Sequence, residues 1–167
     1  MMISKRQASK SGFGLVETVV GTAIVTVVLF ALAQVGQFTF RVVDEANFKL
    51  RGAFLAEEGI EAVRALRDAG WTGNIAPLPL CTNLYPAFSG GTWQLDVVPA
   101  PVEDPAFTRQ VRIEAVSRDG ATDDIAGTNC TGGDPDARRV TVDVIWMNRS
   151  RQASTTISTY LTNLFDN

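Results

Sequence analysis

Glu17 is the single formal charge in the 28 residues from Phe13 to Phe40, FGLVETVVGTAIVTVVLFALAQVGQFTF. A carboxylate in such a run costs on the order of 3 kcal/mol at mid-membrane and less near the headgroups, so its presence asks for a partner. A cut after Gly12 would make Phe13 the first residue and place an α-amino cation at the head of the run. A chain cannot easily fold its first residue back onto its fifth. A neighbouring copy displaced along the same axis can offer its terminus to Glu17, and the pair would then fix the axial register between copies.

The other reactive side chains offer less. Histidine is absent and there are two cysteines, Cys81 and Cys130, which removes Ser-His-Asp and Cys-His nucleophiles and His-containing zinc sites together. If the C-terminal part is translocated, the two thiols meet an oxidising compartment and pair with each other; if not, they remain two unrelated thiols. Glu57, Glu58 and Glu61 with Arg64, Arg67 and Asp68 form either intersubunit salt bridges or a solvated helix face. Asp119, Asp123, Asp124, Asp134 and Asp136 are oxygen ligands without EF-hand spacing. Carboxylate pairs are present, but nothing indicates a pocket that would separate their pKa values, so no catalytic residue, cofactor or metal is expected. Trp71, Trp93 and Trp146 are expected to pack in the core or on the sheet.

These residues need elements to hold them. The apolar run would extend about 42 Å as a helix, enough to cross a bilayer. Lys5, Arg6 and Lys10 precede it with no acid in the first twelve residues, the charge pattern that leaves an N-terminus in the cytoplasm and sends the rest outward. Beyond Phe40, Leu55, Gly59, Ala62 and Leu66 with Ala56, Ile60 and Val63 make one apolar stripe. A single helix is therefore predicted from Phe13 to Ala69, ended by Gly70, with Gly21, Gly36, Gly52 and Gly59 as weak points. Prolines and glycines between Trp71 and Gly91 predict a loop. Alternation predicts strands over Thr92–Pro99, Phe107–Ser117, Arg138–Asn148 and Ala153–Leu164, and residues 118–137 read as a long acidic loop tethered by Cys130. The sum is an α+β fold: a long N-terminal helix, transmembrane in its first half, packed on an antiparallel sheet of about four strands.

Three other readings of the N-terminal run stand beside the assembly reading. They are a plain single-pass anchor, a secretory signal cleaved after Ala31-Leu32-Ala33 at Gln34, and a buried helix of a soluble protein, which the uninterrupted length disfavours. The formal net charge of −3 becomes −6 if residues 1–12, with three bases and no acid, are removed. An acidic exterior argues against general affinity for DNA, and no specific nucleic acid is expected.

The segment SGFGLVE behind a basic leader resembles the class III prepilin signal of type IV pilins and pseudopilins, with Gly12 before the cut, Phe13 first and Glu17 fifth. Gly14 departs from the commoner threonine or serine there, touching neither cut nor charge. AEEGIEAVRALRDAGW, RRVTVDVIW and STYLTN are similar to the PilV-like group of minor pilins. The resemblance implies a leader over residues 1–12, a filament-core segment over 13–40 and an extracytoplasmic domain over 41–167. It further implies cleavage between Gly12 and Phe13 by a prepilin peptidase, N-methylation of Phe13, and a life in the inner membrane followed by an extracellular filament of pilin subunits. It also implies a non-enzymatic role, in a pilus or as a pseudopilin of a type II secretion or DNA-uptake machine. A membrane-anchored or secreted binding domain that never polymerises is the reading from another class.

Overall fold

The computed structural model describes residues 14–99, 102 and 104–165; Gly12 and Phe13 lie outside the described residues. Helix α1 runs from Leu15 to Ala69 without interruption, two residues inside the predicted start and at the predicted end. Gly70 follows with φ 145°, a conformation only glycine adopts without strain, and a short α2 (Trp71–Asn74) comes after it. The chain divides into two compact units, Met1–Asp44 and Glu45–Asn167.

In the first unit the helix exposes apolar side chains on every side: Leu15, Val16, Ile24, Phe30, Leu32 and Phe38 are all more than half exposed. A helix that is apolar all round is at home in lipid or in a protein core. This helix is long and apolar enough to cross a membrane.

The second unit is an antiparallel sheet covered on one face by the C-terminal part of α1. Its strands are β1 (Asn83–Ser89), β2 (Thr92–Asp96), β3 (Phe107–Arg118), β4 (Ile125–Asn129), β5 (Ala137–Asn148) and β6 (Arg151–Thr162). Their order is β2-β1-β3-β5-β6, with β4 also paired to β3. Six strands thus stand where four are read from alternation, because β1 and β4 lie in segments taken for loops.

β1 carries Pro86, which suggests a break, but its position makes it harmless. Gly90 and Gly91, at φ 62° and 84°, close a two-residue hairpin between Ser89 and Thr92, so Ser89–Thr92, Ala87–Gln94 and Tyr85–Asp96 are the hydrogen-bonded pairs. Pro86, opposite Leu95, lacks its N–H on the side away from β2, and pairing with β3 has already ended at Leu84. β4 is short and glycine-containing, and it joins β3 through a register shift at Ser117/Arg118.

The core follows the alternation. Val140, Val142, Val144 and Trp146 of β5 are buried together with Val111, Ile113 and Ala115 of β3. From the helix, Gly52, Ala56, Gly59, Ile60, Ala62 and Val63 are buried against them. Gly52 and Gly59 are not weak points in this setting. A Cβ at Gly52 would lie 2.7 Å from the Trp146 ring, and one at Gly59 would lie 2.7 Å from Val142 Cγ1. Their missing side chains let the helix approach β5 over two turns. Gly21 and Gly36 meet nothing within 4 Å.

Candidate functional site

The first turn of α1 presents Glu17. Glu17 and Thr18 donate their N–H groups to Gly14 O at 3.0 and 3.2 Å, and the Glu17 side chain projects from the exposed surface of that turn. A carboxylate there complements the partial positive charge of a helix start, by about 0.3–1 kcal/mol when exposed. Among the described residues Glu17 has no ion-pair partner.

The threonines of this segment are already satisfied. Thr22, Thr26 and Thr39 donate their hydroxyls to the carbonyls of Thr18, Thr22 and Val35 at 2.9, 2.8 and 2.9 Å. Thr18 does the same with Gly14 and Leu15. Such back-bonding leaves no hydroxyl in need of an outside partner. Glu17 is the one formal charge of the segment, and no side-chain hydrogen bond or ion pair within the described residues meets it.

Cys81 and Cys130 are joined in a disulfide, 49 residues apart in sequence. Its place explains its use. Ala115 pairs with Asn129 of β4 on one side and Arg138 of β5 on the other, so β4 lies on the edge of β3 that β1 also occupies. β1 and β4 share that edge end to end, and Cys81, whose N–H bonds Ile113 O at 2.7 Å, and Cys130 tie them together where they meet.

The helix-end charges divide between partners. Arg64 pairs with the exposed Glu61, and the half-buried Arg67 with the exposed Asp68 at 2.8 Å. Glu58 instead reaches Arg109 of β3 at 2.8 Å, and the Arg109 side chain is only 5% exposed. Arg109 sits on the inner face of β3 between Phe107 and Val111. It donates to Leu55 O at 3.3 Å and stacks its guanidinium 5.5 Å from the Trp93 ring, while its Nε has no partner. The alternation of β3 assigned apolar residues to this face, and an arginine among them carried no signal beyond its position. Trp71 and Trp146 are buried and Trp93 half-buried, with Trp71 donating to Pro135 O.

The aspartates of residues 118–137 organise their own loop. Asp119 accepts from the N–H groups of Ala121 and Thr122 at 2.8 and 3.0 Å. Those bonds lower its pKa from the ordinary aspartate value. Arg118 binds Asp134 and the carbonyl of Asp123, and its guanidinium holds the Asp134 carboxyl below the usual range, helped by the Asp136 N–H. Among the described residues no group of three or more His, Cys, Asp or Glu is arranged to hold a metal ion.

No family model, curated protein or solved structure matches the chain.

Proposed function

We propose that this chain is a structural, low-abundance subunit of a type IV pilus or related filament. The helix-plus-sheet fold suits it, since a helix apolar on all sides can be stored in a bilayer and then moved into a bundle of like helices. The observation that carries the reading is Glu17, the one formal charge of the run, an acid with no ion-pair partner among the described residues. In the filament it pairs with the α-amino group of Phe13 in a neighbouring copy, after removal of residues 1–12 by a prepilin peptidase. The N-terminus begins in the cytoplasm, the second unit faces outward, and the Cys81–Cys130 disulfide accords with an oxidising exterior.

The test is Glu17→Ala in the native host, followed by shearing of surface filaments and immunodetection. The reading predicts a folded, disulfide-bonded protein retained in the membrane fraction and missing from the sheared fraction. Wild-type amounts of the variant in filaments would overturn it. Loss of twitching with secretion intact would assign the subunit to a pilus, and the opposite phenotype to a secretion pseudopilus.

A further inference from the structure

β6 ends the sheet, with β5 as its strand neighbour. Its register with β5 runs unbroken from Asn148↔Arg151 to Ala137↔Thr162. From Gln152 to Phe165 the sequence holds no charged residue and no proline. Beyond Arg151 at its start, the usual devices that blunt an edge strand, charge, proline or a bulge, are missing from it. The opposite edge, β2, is a five-residue strand that ends in Asp96.

The direction of the free backbone groups follows from the turn. Arg149 and Ser150, at φ 48° and 67°, form a two-residue connection of the type that matches strand twist. Asn148 and Arg151 are then a hydrogen-bonded pair, so odd-numbered residues of β6 bond to β5 and even-numbered ones point their N–H and C=O groups outward. The Thr141–Ser158 hydroxyl bond of 3.0 Å agrees, because side chains approach most closely in the non-hydrogen-bonded pairs.

We propose that this edge pairs antiparallel with the same edge of a second copy, about a two-fold axis at Ile157. The sequence is self-complementary in that register. Thr156 faces Ser158, Ser154 faces Tyr160 and Gln152 faces Thr162, so each outward backbone group meets an outward group and no charge opposes another. Ile157 meets itself, Thr155 meets Thr159, and Ala153 meets Leu161 on the half-buried face. An axis normal to the sheet reverses the helix halves packed on it, so the two copies point in opposite directions. The contact uses only residues of the second unit, so it is independent of the Glu17 pairing.

The test is sedimentation of the full chain in detergent, comparing the wild type with Ser158→Pro. The Ser158 N–H points outward, so proline there removes an edge donor while leaving the β5 ladder. The wild type is expected to dimerise and the variant to dissociate on the order of thirtyfold more readily, two hydrogen bonds being lost per dimer. Ser154→Lys combined with Tyr160→Lys changes exposed positions only and sets like charges opposite each other. It is expected to be monomeric alone and to dimerise when mixed with Ser154→Glu combined with Tyr160→Glu. A monomeric wild type, open-ended aggregates, or a dimer indifferent to these substitutions would overturn the proposal.

Discussion

Arg109 shows how one buried cation is tolerated. Its charge is met by Glu58, which is 48% exposed, so the pair sits at the boundary of core and water rather than deep within. Arg109→Ala returns Glu58 to solvent at little cost but removes the stem packed under Gly59, the Leu55 hydrogen bond and the Trp93 stack. Chemical denaturation of the detergent-solubilised chain is expected to read a loss of about 1–3 kcal/mol, and a smaller loss for Arg109→Met, which keeps the stem and removes the unpartnered Nε. Asp119 and Asp134 give a pH dependence. Both carboxyls are held below their ordinary value in the folded chain. Their contribution is therefore present above the unfolded aspartate range, near pH 4, and is lost as pH falls through the lower folded values. Amide exchange over residues 129–136 is expected to accelerate below about pH 4, and Arg118→Met to shrink the effect by removing the main cause at Asp134.

At the scale of elements, α1 meets the sheet through the absence of two side chains. Gly59→Ala adds a methyl 2.7 Å from a stiff, fully buried valine, and overpacking of this kind costs about 1–3 kcal/mol, offsetting the better helix propensity of alanine. Gly21→Ala has open space around it and is expected to cost nothing; thermal unfolding of the two variants checks the contrast. The helix, its apolar stripe and the valine strand at 140–146 were legible because each repeats one period over many residues. Gly52 and Gly59 were misread since sequence shows a glycine's low propensity, not what it faces. β1 was hidden by Pro86 and a Gly-Gly pair that is in fact its hairpin turn, and β4 by brevity. Arg109 was hidden because period-two alternation reports faces, and one charged residue on the apolar face reads as an interruption.

For the whole molecule, the disulfide closes the junction partway along one edge of β3, joining two strands that share that edge but are far apart in sequence. Replacing both Cys81 and Cys130 by serine is expected to cost about 4 kcal/mol in the chain-entropy picture, and limited proteolysis should then cut within 119–136 first. The pairing was legible from the cysteine count, whereas its role required the strand order. Glu17 was legible as a lone acid in an apolar run, whereas the partner proposed for it is the terminus of a second copy, which a single chain does not display. The central claim turns on the terminus that would provide that partner. Mass spectrometry of the N-terminal peptide, from the membrane-associated protein in its native host, tests it most directly. The account predicts a chain that begins at Phe13 and is heavier by one methyl group; a chain that begins at Gln34, or one that keeps residues 1–12, would contradict it.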